Sequence, residues 1–106
     1  MTIIRWRCVS SMRQPVVYIM ASQRNGALYV GVTSDLVGRA YQHRTGEWPG
    51  FTARYGCKLL VFFEIHATML GVTAREKQIK GGSRKKKLAM IEATNSAWRD
   101  LYQDIA

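Results

Sequence analysis

Two β-rich runs, VVYIMAS at 16–22 and ALYVGVT at 27–33, are joined by the tetrapeptide QRNG. An Asn-Gly pair between alternating apolar stretches is the strongest short-range signal for a β-hairpin, so the chain is expected to begin its fold with two antiparallel strands. A turn centred on Asn25-Gly26 puts Tyr29 opposite Ser22, whereas a longer loop centred between Gln23 and Arg24 puts it opposite Tyr18. Strand side chains alternate with period two, so both registers leave Tyr18 and Tyr29 on one sheet face; a three-residue loop would separate them.

After the hairpin, Ser34 and Asp35 are N-cap candidates for a helix through DLVGRAYQHR, with Leu36, Val37, Ala40 and Tyr41 as its apolar stripe. Arg39 and His43, four residues apart, share the edge of that stripe. TGEWPG breaks the chain. KLLVFFEI at 58–65 reads as a third, largely buried strand. A second helix is expected from Met69 to Lys80, Gly81-Gly82 interrupts it, and a third runs from about Ser83 to Ala93. Asn95 is expected to cap a short last helix, SAWRDLYQ.

The chain has 106 residues, enough for one domain with a modest core. Its 47% hydrophobic and 22% charged residues exclude wholesale disorder. Sixteen Lys and Arg against seven Asp and Glu give a net charge of +9, an excess that favours a polyanionic partner, nucleic acid first. Residues 15–106 are read as that domain, behind a basic arm at 1–14 that reads as a frayed terminus or an added phosphate contact. Cys8 and Cys57 are too few for a disulfide framework or a zinc site, so a reducing cytoplasm is the expected location. No apolar run approaches the ~20 residues of a membrane helix, and MTIIRWRCVSSMRQ lacks a secretory h-region.

Of the acids Asp35, Glu47, Glu64, Glu76, Glu92, Asp100 and Asp104, only the last two share a one-turn spacing, which leaves a carboxylate cluster for two metals without support. Glu76 stands out because it lies among Met69, Val72 and Ile79 on the expected inward stripe, where a charge needs a partner. An i,i+4 pair with Lys80 is worth only ~0.2–0.5 kcal/mol. A single inward carboxylate can instead hold a divalent cation whose other positions go to water and phosphate. In GGSRKKK at 81–87, a helix start at Ser83 with Arg84, Lys85, Lys86 and Lys87 offers contacts to backbone phosphates, a track that Lys80 and Arg54 extend. Trp48 and Phe51 beside Arg54 are candidates to stack on bases or to tuck onto the core.

Taken in order, VVY at 16–18, YVG at 29–31, Arg39, His43, Glu76 and Asn95 resemble the motif set of the GIY-YIG endonuclease superfamily, and GFTARYG, AREKQIKGGSRKKKLAMIEATN and WRDLY resemble its small stand-alone, excinuclease C-like bacterial members. The similarity covers about residues 15–105. Two departures stand in the motifs: VVY replaces GIY, and Val32 follows the YVG glycine where the excision-repair domain often has lysine.

The resemblance implies an α/β (α+β) domain with a central three-stranded antiparallel sheet flanked by helices. It also implies one-metal hydrolysis of a phosphodiester, usually in DNA, with RNA as a further candidate and repair or recombination as the setting. Glu76 would be the sole carboxylate ligand of a magnesium or manganese ion. Tyr29 would be the general base toward water, and Tyr18 would orient that water or a phosphate. Arg39 would hold the scissile phosphate, His43 would position water or a tyrosine hydroxyl, and Asn95 would fix the active-site loops by hydrogen bonds. A tyrosine, with a reference pKa near ~10, serves as a base at neutral pH only where positive charge favours its phenolate. The alternative is a nucleic-acid-binding module that keeps the fold and the basic face but cleaves negligibly.

Overall fold

A computed structural model describes residues 14–47 and 50–105, apart from the side chains of Phe51 and Thr52; the expectations for the basic arm, Cys8, Trp48 and the Phe51 ring fall outside these. Strands β1 (Val16–Ala21), β2 (Leu28–Thr33) and β3 (Leu59–Ile65) form one antiparallel sheet in the order β2-β1-β3. The expected three-stranded α+β architecture is therefore present. Helices are α1 (Leu36–Thr45), α2 (Phe51–Tyr55), α3 (Met69–Gly81), α4 (Arg84–Thr94) and α5 (Tyr102–Ile105).

Every residue of β1 is buried, because the central strand is covered on both faces. Val17, Ile19 and Ala21 pack against Val72 and Ile79 of α3, Ile91 of α4 and Trp98. Val16, Tyr18 and Met20 pack against Leu36 and Ala40 of α1 and Ile105 of α5. The alternation of one strand thus sorts the helices into two layers.

The hairpin register differs from both expected ones. Tyr18 pairs with Gly31, and Met20 with Tyr29. The turn occupies residues 23–26, closed by Gly26 N–H donating to Gln23 O at 2.9 Å, with Asn25 in the left-handed region at φ 59. Ser22 Oγ adds a second closure by accepting from Ala27 N at 2.9 Å. The observed pairing is shifted by two residues from each alternative, so parity is kept and the two tyrosines remain on one face.

Larger corrections fall at the C-terminal end. Asn95 ends α4, its N–H donating to Ile91 O at 2.7 Å, instead of capping a helix through 96–103. Trp98 takes φ 55, and Asn95 brackets Arg99, accepting from its N–H at 3.0 Å and donating to its carbonyl at 2.8 Å. Helix resumes only at Tyr102. The reason lies on β3, where the register passes from Ile19 opposite Phe62 to Met20 opposite Leu60 and leaves Val61 as a bulge. Polar groups of that stretch are met by the C-terminal segment. Asn95 Nδ2 donates to Val61 O at 3.2 Å, Leu60 N donates to Asp100 Oδ1 at 3.2 Å, and Leu101 N donates to Leu60 O at 2.8 Å. An otherwise open sheet edge is covered in this way. Helix α2, between Gly50 at φ 92 and Gly56 at φ 64, was not anticipated from the sequence.

Replacing Asn95 with alanine should therefore cost about 1–3 kcal/mol, the penalty for leaving a buried carbonyl unmet, and urea denaturation would measure it.

Candidate active site

Tyr18 and Tyr29 arrive on one face because of the hairpin, and α1 crosses above them. Asp35 caps α1 by accepting from Gly38 N at 3.2 Å, while Asp35 N itself donates to Thr33 Oγ1 at 2.9 Å. This tight exit from β2 sets the rotation of the helix. Leu36, Ala40 and His43 face inward, whereas Tyr41, expected on the apolar stripe, is 50% exposed. His43 takes the inward place because Tyr18 requires a buried partner: the Tyr18 hydroxyl and His43 Nε2 are 2.9 Å apart. Ring centroids lie at 6.2 Å for Tyr18 and Tyr29, 5.6 Å for Tyr18 and His43, and 5.3 Å for Tyr29 and His43. The three rings form one cluster.

Electrostatics separate the roles of these rings. Burial raises the Tyr18 phenol well above its ordinary value, the neighbouring Tyr29 and the charge of Glu76 raise it further, and the hydrogen bond and charge of Arg39 oppose the shift only in part. Tyr18 is therefore a neutral hydroxyl at physiological pH. Burial, and secondarily Arg39, lower His43 from 6.5 to about 4, so this imidazole is neutral too. A neutral His43 in its Nδ1–H tautomer accepts at Nε2 from the Tyr18 hydroxyl, and that tautomer leaves the Tyr18 oxygen free to accept from the Arg39 guanidinium. Tyr29, on the edge strand and partly exposed, is the tyrosine that solvent can reach.

Gly31 is a steric requirement of this arrangement. A Cβ there would stand 2.5 Å from Tyr18 Oη, 2.6 Å from its Cζ and 2.9 Å from Tyr29 Cε2. The close-packing role of the YVG glycine is thus to let the Tyr18 ring lie across β2.

Most acids have structural duties. Glu64 binds Arg75 at 2.9 Å and His66 at 2.8 Å, Glu92 receives the Trp98 indole N–H, and Asp104 receives both terminal nitrogens of Arg99. Asp100 pairs with Arg44 and accepts from two backbone amides. Asp35 is a cap, and Glu47 is exposed after α1. Glu76 remains. Its setting corrects the expectation of an inward carboxylate: Val72 and Ile79 are buried, but Met69 is 49% exposed and the Glu76 side chain, 21% exposed, lies at the margin of the stripe. There it pairs with Lys80, Nζ to Oε2 3.0 Å. Its charge is nevertheless felt at Tyr18. Among the described residues no three His, Cys, Asp or Glu are grouped to hold a metal. A single accessible carboxylate whose ion takes its remaining ligands from water and phosphate fits magnesium or manganese chemistry, and Glu76 has that character.

Beside Tyr29 is a cleft of about 340 Å³ lined by Leu28, Tyr29, Val30, Lys80 and Lys87. Lys87 is anchored there, donating to Gly82 O at 2.8 Å and Lys80 O at 3.4 Å at the end of α3. Arg84 is also engaged, donating to Asn25 O at 2.8 Å and Gly26 O at 2.7 Å and so clamping the hairpin turn to α4. Neither is the freely solvated side chain that a charge run suggests. Lys85 and Lys86 are exposed, and Arg54 is exposed over the Tyr55 ring at 5.6 Å. Asn95 is not among the residues gathered here, since its side-chain bonds hold the C-terminal segment to β3. Sequence reading missed the inward turn of His43 and the meeting of Lys80 and Lys87 at Tyr29. An i,i+3,i+7 pattern through Leu36, Arg39 and His43 was the one signal for the first.

The fold and this cluster define a nuclease-type α+β domain. Residues 14–89 match the GIY-YIG catalytic domain, a span that includes Tyr18, Tyr29, Arg39, His43 and Glu76 and stops before Asn95. The chain belongs to the GIY-YIG superfamily. It is 33% identical over 81 residues to a UPF0213 protein of Staphylococcus haemolyticus, covering 76% of this chain and 98% of that one. It is 34% identical over 76 residues to a UPF0213 protein of Haloquadratum walsbyi, covering 72% and 84%. No solved structure matches it significantly.

His43 should titrate near pH 4 by NMR. Because its folded pKa lies below the 6.5 of the unfolded chain, its contribution to stability is complete above about pH 6.5 and is lost as pH falls toward 4. The stability difference between wild type and His43→Gln should shrink across that window. Gly31→Ala should destabilise the fold by about 1–3 kcal/mol, as overpacking does, read by chemical denaturation.

Proposed function

We propose that this chain is a metal-dependent endonuclease that hydrolyses DNA phosphodiester bonds, with RNA as a further candidate, in DNA repair or recombination in the cytoplasm. The observation that carries the reading is the sharing of one site by an accessible Tyr29, a neutral Tyr18–His43 pair, Arg39 and the charge of Glu76, within a span matching a nuclease family. A magnesium or manganese ion held by Glu76 would supply Lewis-acid stabilisation of the charge gathering on the phosphate. The chain's own residues supply the rest. Tyr29, acting as its phenolate, takes a proton from the attacking water as the water oxygen bonds to phosphorus; the P–O ester bond breaks, and the leaving oxygen keeps the bonding pair and takes a proton from solvent. Tyr18 donates to His43 Nε2 and accepts from Arg39, which keeps the guanidinium aimed at the phosphate. Arg39 stabilises the added negative charge. Lys80, Lys85 and Lys86 and, across α2, Arg54 offer the cationic track for the backbone, with Arg84 and Lys87 supporting it from their places on the hairpin turn and the end of α3.

The second reading, a binding module with little cleavage, has one observation in its favour: the Lys80 ammonium holds the carboxylate that a metal needs.

Glu76→Gln should abolish metal-stimulated cleavage while retaining DNA binding and the melting temperature, because glutamine preserves size and removes the charge. Tyr29→Phe should lower the cleavage rate by about 10²–10⁴-fold with binding retained, the loss typical of a removed general base. A cleavage assay beside a gel-shift and a thermal melt on the same preparations reads both; full activity in Glu76→Gln would sink the one-metal mechanism. Affinity for DNA should fall steeply with salt, and Lys85→Ala with Lys86→Ala should flatten that dependence by roughly one unit of slope for each phosphate that is no longer neutralised.

A further inference from the structure

The cleft beside Tyr29 is lined by two lysines of unlike character. Lys87 is tied to two backbone carbonyls at the end of α3. Among the described residues Lys80 is tied only to Glu76, one helical turn away, and its side chain is 53% exposed. An i,i+4 pair so exposed is weak, so the Lys80 head can leave at small cost. A divalent cation and this ammonium compete for the same carboxylate, of which Lys80 now holds Oε2. A phosphate in the cleft offers the ammonium another anion within reach of its flexible stem.

We propose that Lys80 is a displaceable internal cation that couples metal binding to nucleic-acid binding. In the free protein it occupies Glu76 and holds metal affinity down; a backbone phosphate in the Tyr29 cleft draws it off the carboxylate and leaves Glu76 to the metal. Metal and nucleic acid then bind with positive cooperativity, each tightening the other by the same factor. The cation site is made competent by substrate, so the free protein is a poor metal binder although its ligand is in place. This inference rests on Glu76 as the metal ligand.

The test is Mn²⁺ binding, by titration calorimetry or by the electron paramagnetic resonance of free Mn²⁺, to protein alone and with a short DNA duplex, all in a Tyr29→Phe background to suppress cleavage. The parent should bind Mn²⁺ weakly alone and roughly fivefold or more tightly with the duplex. Lys80→Met should bind Mn²⁺ tightly without DNA and gain little from it. Lys58→Met, which removes the same charge at an exposed position just before β3 and outside the cleft, should behave as the parent; if it tightens Mn²⁺ equally, the effect is general charge and the proposal fails. Parent-like Mn²⁺ binding by Lys80→Met would overturn the coupling and leave the nuclease reading standing. Unchanged Mn²⁺ binding in Glu76→Gln would overturn both, because the carboxylate would then not be the ligand.

Discussion

A tyrosine hydroxyl on the central strand of a sheet, sealed under a helix, must find a partner, and the demand of Tyr18 organises the surrounding structure. His43 turns inward to pair with it, on a helix rotation that the Asp35 cap and the tight exit from β2 make possible and that turns Tyr41 out to solvent. Gly31 is obligatory because the ring lies where a Cβ would be. Arg39, one turn before His43, is brought to the same oxygen. A buried polar network is favourable only when each member is satisfied, and this one closes with two neutral rings and one cation.

The division of labour between the tyrosines follows from their strands. Tyr18 is on the middle strand, covered on both faces, and burial keeps its phenol neutral. Tyr29 is on edge strand β2, beside a cleft lined with lysines. The first is suited to hold geometry, the second to meet water and phosphate. Placing the accessible tyrosine on an edge strand and the buried one on the central strand gives rigidity and access together.

Much of the positive charge has structural work. Arg84 fastens the hairpin turn, Lys87 closes α3, Arg75 and Arg44 hold acids at β3 and the C-terminal segment, and Arg99 is bound to Asp104. The net excess survives because the acids are few, and those few are mostly occupied as well. A small domain with seven acids thereby keeps one, Glu76, near enough to its tyrosine cluster for its charge to act on Tyr18.

The sequence by itself determined the hairpin, the parity that puts Tyr18 and Tyr29 on one face, and the main helices to within a residue or two, because these rest on local turn chemistry and periodicity. Tertiary structure alone decided the rest. The exact register came from a four-residue turn in which Asn25 accepts a left-handed backbone. The last helix was shortened because Asn95, Asp100 and Leu101 have to meet the polar groups of a bulged edge strand far away in sequence. His43 faced inward because a hydroxyl 25 residues earlier required it. Glu76 came to the margin of its stripe, paired with Lys80, because helix periodicity reports which side of a helix is apolar but not where the apolar side ends, and that border is drawn by the sheet edge the helix meets.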